Sequence, residues 1–107
     1  TLIARFLTRE GYRVRIAADS EEALAASSRD PLHLLVCDLT VPGLNGPDLA
    51  SALRQYHPHL RVLFMSSYAA DSALMEKLQT GDEFLQKPFT LAALGEQVRL
   101  VLTTPRD

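Results

Sequence analysis

Three residues stand directly past short apolar runs, and each carries a different chemistry. Asp38 follows Leu34-Leu35-Val36-Cys37, Ser66 follows Arg61-Val62-Leu63-Phe64-Met65, and Lys87 follows Glu83-Phe84-Leu85-Gln86. An apolar run of four or five residues bounded by turn residues reads as a strand buried on both faces. Each of the three therefore sits where a strand gives way to a loop. If the strands are parallel, all three lie at one carboxyl edge, where open α/β sheets carry their ligands and chemistry. An acid, an alcohol and an ammonium gathered there suit a phosphoryl group on Asp38. Such a group adds about −1.5 to −2 charges and strong acceptor oxygens. Lys87 offers a mobile point charge to one oxygen and Ser66 a hydroxyl donor to another. Phosphoryl transfer needs mainly positioning and charge neutralisation. It would normally also need a hard cation, Mg²⁺ above all, held by oxygen ligands. Asp38 supplies one ligand, and no second carboxylate stands at a strand end. Asp48, Asp71 and Asp82 read as helix-start or turn residues. Taken alone, Asp38 suits a helix cap or loop equally well, so the argument rests on the three residues together.

The elements that must position them alternate along the chain. Residues 1–9 place Leu2, Ile3, Phe6 and Leu7 on one helical face, and Gly11 suits the stop just past it. Tyr12 to Ala17 alternates Tyr12, Val14 and Ile16 with Arg13 and Arg15, which predicts a strand with one wet side near a sheet edge. Asp19 or Ser20 caps the next helix, and Glu22 three residues after Asp19 matches a capping box. Ala23, Leu24 and Ala26 give this helix a thin apolar face, and Asp30-Pro31 breaks it.

After the strand ending at Asp38, a loop with Pro42, Gly43 and Gly46 leads into a helix from Pro47 to Tyr56, with Leu49, Ala52, Leu53 and Tyr56 inward. His57-Pro58-His59 ends that helix. Two histidines at this spacing raise the question of a metal, but no Cys or further His stands near enough to complete a site, and a polar turn is the expectation. Asp71 or Ser72 starts a helix burying Leu74, Met75 and Leu78 and stopped by Gly81. Thr90 caps a last helix burying Leu91, Leu94, Val98, Val101 and Leu102, closed by Pro105. Helix and strand alternate from end to end, which predicts an α/β fold: a doubly wound parallel sheet with helices on both faces.

The bulk numbers agree. The chain has 107 residues, 47% hydrophobic and 22% charged, enough for one domain with one core. A net charge of −2 argues against direct nucleic-acid binding. A single cysteine, Cys37, cannot form an internal disulfide and fits a reducing, cytoplasmic setting. No apolar run approaches the roughly 18 residues of a membrane span.

The segments VCDLTVPGLNG, FMSSY and FLQKPFT together make the chain resemble the receiver domain of two-component response regulators and hybrid sensor histidine kinases. The KPFT and FMSSY wording looks more like the hybrid-kinase receivers. The resemblance implies a three-layer flavodoxin-like sheet in the order 2-1-3-4-5. It implies that Asp38 is the phosphoacceptor, Ser66 the switch hydroxyl and Lys87 the phosphate-pairing lysine. It further implies a cis bond between Lys87 and Pro88, an aromatic switch at Phe84 coupled to Ser66, and the backbone carbonyl of Thr40 as a Mg²⁺ ligand beside Asp38. The partners implied are a histidine kinase or phosphotransfer domain as donor, and an output domain or partner protein docking on the last two helices and the strand between them.

The chain departs from the family pattern in three places. Val41 stands where Met is usual and Ser67 where Gly is common. More important, the first strand and the acidic pair that follows it are absent. Residues 1–107 are therefore expected to form one receiver domain, N-terminally incomplete, that binds Mg²⁺ poorly as it stands. A sheet without its central strand would leave buried edges unpaired. Tyr68, two residues past Ser66, is expected over the phosphate, where it would shield it from water. Two other functions compete: a pseudo-receiver that binds partners without phosphorylation, and, with weaker support, an aspartate-nucleophile phosphohydrolase suggested by Asp38-Leu39-Thr40. The domain's own catalysis would extend at most to self-phosphorylation and self-dephosphorylation.

Overall fold

The structure is a computed structural model that describes residues 1–28, 30–67, 76–78 and 82–104. The elements are α1 (Leu2–Arg9), α2 (Ser20–Ser27), β1 (Leu34–Asp38), α3 (Gly46–Arg54), β2 (Arg61–Ser66), β3 (Glu83–Gln86) and α4 (Leu91–Thr103). The three strands form one parallel sheet in the order β1-β2-β3. Leu34 pairs with Arg61 through to Asp38 with Met65, and Leu63 pairs with Glu83 through to Ser66 with Gln86.

Side-chain alternation along the strands divides the core in two. Leu35, Cys37, Val62, Phe64 and Phe84 face α2 and α3, packing with Leu24, Leu49, Ala50 and Leu53. Leu34, Val36, Leu63 and Leu85 face α1 and α4, packing with Leu7, Leu94 and Val98. Helices therefore cover both faces, the doubly wound arrangement expected from the alternating elements and the flavodoxin-like layering that the resemblance implies. β2 is the most deeply buried strand, as expected for the middle of the three.

Local start signals hold. Asp19 caps α2, its side chain accepting from the Glu22 amide at 2.8 Å, while Glu22 reaches back to the Ala18 amide at 3.2 Å. Thr90 caps α4 by accepting from the Ala93 amide at 3.0 Å. The α1 and α4 helices meet where the Phe6 ring lies over Gly95, so close that a Cβ there would stand 2.8 Å from the ring.

Several expectations are corrected. Tyr12–Ala17 has the alternation of a strand but forms none, and Ile16 is 55% exposed. A strand exists only by pairing. Among the described residues no strand runs beside this segment, and β1 is laddered on one side only, to β2. In α1, Leu2 points to solvent, and Ala4 takes the buried position beside Leu7. Tyr56 lies beyond the end of α3 and is 72% exposed rather than inward, and Ala50 is buried more deeply than Ala52. The helix expected from Asp71 or Ser72, its stop at Gly81, Tyr68 and the closing Pro105 lie outside the described residues, apart from Leu78, which packs against the first core cluster.

Candidate functional site

Parallel pairing brings the ends of all three strands to one edge. Asp38 is the last residue of β1, Ser66 the last of β2, and Lys87 the first residue past β3. The Lys87 amide donates to the Ser66 carbonyl at 2.8 Å, and the Leu39 amide to the Met65 carbonyl at 3.1 Å, which ties the three strand ends together. The Lys87 ammonium reaches Asp38: Nζ lies 2.5 Å from Oδ1, with the two side chains 41% and 44% exposed. Oδ1 itself is buried and has no aligned hydrogen bond, so its pairing with Lys87 is a charge contact. The open side of the carboxylate is then the other oxygen, Oδ2.

Ser66 differs from Asp38 and Lys87 in being 1% exposed. Along β2 it falls on the same face as Phe64, and Phe84 is the register partner of Phe64. Ser66 and Phe84 are thus diagonal neighbours on one face of the sheet. Phe84 is half-buried against the core cluster on that face. The Lys87–Pro88 peptide is cis.

The loop from Leu39 to Asn45 closes on itself beside Asp38. The Gly46 amide donates to the Leu39 carbonyl at 2.6 Å, and Thr40 bridges Asn45 in antiparallel fashion. Asn45 caps α3, its side chain accepting from the Asp48 amide at 2.8 Å. At Gly46 an added Cβ would stand 2.7 Å from the Asp38 carbonyl oxygen and 3.0 Å from the Phe64 ring. Glycine there lets α3 begin against the backbone of the acid itself. By sequence alone Gly46 reads only as a turn residue. An Asn followed by Gly-Pro, with Asp three residues on, is a cap signal that could have located this junction.

Cys37, one residue before Asp38, is buried, which pushes its thiol up from 9.0 to about 12, with the carboxylates of Asp38 and Asp82 adding to the effect. His57 donates from Nε2 to the Ser27 carbonyl at 2.9 Å, a structural role consistent with the turn reading. Among the described residues no group of three or more His, Cys, Asp or Glu side chains is placed to hold a metal ion. Asp38 and the Thr40 carbonyl alone are too few for the oxygen shell of Mg²⁺, so this set of residues does not by itself fit the ion.

Comparison with known proteins gives a consistent result. Residues 1–99 match the family model described as the response regulator receiver domain. The response regulator MprA of Mycobacterium leprae is 34% identical over 108 residues, covering 98% of this chain and 47% of its own length. The receiver domain of the hybrid histidine kinase CckA superposes with a TM-score of 0.80 at 36% identity, covering 95% of this chain and 87% of that one. A response regulator protein from Burkholderia pseudomallei, solved with a phosphorylated aspartic acid, a calcium ion and citrate, superposes with a TM-score of 0.72 at 27% identity, covering 96% of this chain and 59% of that one. The chain spans less than half the length of the curated relatives it matches.

Proposed function

Since the chain belongs to the response regulator receiver domain family, we propose that Asp38 accepts a phosphoryl group from a histidine kinase or phosphotransfer domain and that Ser66, Lys87 and Phe84 convert the added charge into a change of partner-binding surface. The observation that carries this reading is the Lys87–Asp38 contact at 2.5 Å, made at one sheet edge between the ends of β1 and β3, with β2 between them. Oδ2 attacks phosphorus as the phosphorus–nitrogen bond of the donor's phosphohistidine breaks, and the imidazole leaves with the electron pair. Lys87 is already in place to neutralise the charge that arrives. Receiver domains generally use Mg²⁺, whose oxygen shell Asp38 and the Thr40 carbonyl would fill only in part.

The new phosphate oxygens draw the Ser66 hydroxyl and Lys87 toward them, and Phe84 moves into the space the hydroxyl leaves. The face built from β3 and α4 changes shape, a two-state shift biased by a few kcal/mol. We place this step in a cytoplasmic two-component phosphorelay, with an output domain or partner protein reading that face. None of the described helices is long and apolar enough to cross a membrane.

Incubation of the full natural protein with an acyl phosphate and Mg²⁺, followed by intact-mass measurement, tests the proposal. One added phosphoryl group, removed by hydroxylamine and missing in Asp38→Asn, is the expected result. A protein that takes up no phosphate from either the acyl phosphate or a phosphorylated kinase would instead be a pseudo-receiver.

A further inference from the structure

The loop that follows Asp38 is held from a second direction, by a residue that the sequence places far away. Ser20 opens α2, yet it is 5% exposed and does not cap its own helix, a role taken by Asp19. Its backbone amide donates to the Pro42 carbonyl at 3.1 Å, and its hydroxyl oxygen accepts from the Leu44 amide at 3.1 Å. Between those two contacts lies Gly43, at φ +99, and a Cβ at that position would overlap the Ser20 hydroxyl. Ser20 therefore grips the tip of the loop on both sides of Gly43.

The grip matters because of what the loop's base does. Its first residues continue the backbone of Asp38, and the Gly46 amide, just past its far end, donates to the Leu39 carbonyl. A loop closed at its base but loose at its tip would let Thr40 to Leu44 sample several arrangements beside the carboxylate. Buried polar groups that each have a partner select one arrangement. The geometry points to Ser20 as a positioning residue for phosphoryl transfer: through Pro42 and Leu44 it fixes the loop beside Asp38 and so the surroundings that the incoming phosphoryl group meets. This rests on Asp38 being the phosphoacceptor. It adds α2, which carries none of the site residues, to the machinery that shapes the site.

The experiment compares the natural protein with Ser20→Ala, Ser20→Thr and Gly43→Ala. Phosphoryl uptake from an acyl phosphate is followed well below the thermal midpoint of every variant, and amide hydrogen exchange is read at Leu44 and Gly46. Misplacement of a reacting group by a fraction of an ångström to an ångström costs between about tenfold and a hundredfold in rate. Ser20→Ala is expected to slow uptake by about tenfold and to speed exchange at Leu44. Ser20→Thr keeps the hydroxyl and is expected to restore the rate to within about threefold. Gly43→Ala attacks the same contact from the loop side, leaves Ser20 in place, and is expected to slow uptake as well.

A purely structural serine would lower the thermal midpoint in Ser20→Ala while leaving uptake per folded molecule unchanged, and that result overturns the proposal. If Ser20→Ala does not fold, Gly43→Ala decides: an unchanged rate overturns the proposal and a slowed one supports it. Failure of the underlying reading looks different, because the natural protein itself then takes up no phosphate and the assignment of Ser20 falls with that of Asp38.

Discussion

Arg54 and Asp82 meet at 2.6 Å with side chains only 14% and 2% exposed. The same guanidinium donates from Nε and Nη2 to the Leu60 carbonyl, each at 3.2 Å. Leu60 directly precedes β2 and Asp82 directly precedes β3, so this pairing pins the amino-terminal edge of the sheet, opposite the edge that carries Asp38. It joins the end of α3 to the starts of two strands.

Removing one partner of a buried pair strands the other charge. Arg54→Leu is expected to destabilise the fold by about 3–5 kcal/mol, measured by urea unfolding. The double variant Arg54→Met/Asp82→Leu removes both charges and is expected to recover most of that loss. A single variant within about 1 kcal/mol of the natural protein would show that the pair is not isolated from water.

Gly46→Ala places a methyl group against the Asp38 carbonyl and the Phe64 ring. Over-packing of this kind costs about 1–3 kcal/mol. Because the nearest atom belongs to Asp38, phosphoryl uptake per folded molecule is expected to fall further than in a core variant that is the less stable of the two. The comparison is with Phe64→Ala, which empties a fully buried site at a cost of about 3–5 kcal/mol. Equal uptake per folded molecule in the two variants would refute a special role for Gly46.

Lys87→Ala removes an ion pair in which both side chains are well over a third exposed. Its effect on stability is expected to stay under about 1 kcal/mol in urea unfolding. Its effect on signalling is expected to be large: phosphoryl uptake falls, and the phosphorylated form no longer changes partner affinity. An unimpaired switch in Lys87→Ala would remove the lysine from the mechanism.

Cys37 is buried and its thiol is pushed up to about 12. At pH 8 it is therefore protonated in the fold, whereas an unfolded cysteine is partly thiolate. Alkylation followed by mass spectrometry is expected to run at least roughly a hundredfold slower in the native protein than in urea. Similar rates in the two conditions would show that the β1 segment opens readily.

How much of this was legible in the sequence depends on the range over which each feature is decided. The strand ends at Asp38, Ser66 and Lys87, and the caps at Asp19 and Thr90, are set by runs of a few residues, and the structure places them as read. Their convergence also followed from the sequence, because alternating elements with right-handed crossovers make the strands parallel and point their ends one way. The alternation in Tyr12–Ala17 was just as clear, yet no strand forms there, since a strand's hydrogen bonds belong to its neighbour and a local pattern cannot supply one. Asp82 looked like a turn residue because nothing near it in the chain hints at Arg54. Ser20 looked like a cap because its contacts with Pro42 and Leu44 arise only when α2 packs beside the loop after β1. Local periodicity and turn chemistry thus determined the elements and the site's three chemical groups, and packing between distant segments decided which groups became buried, paired or held in place.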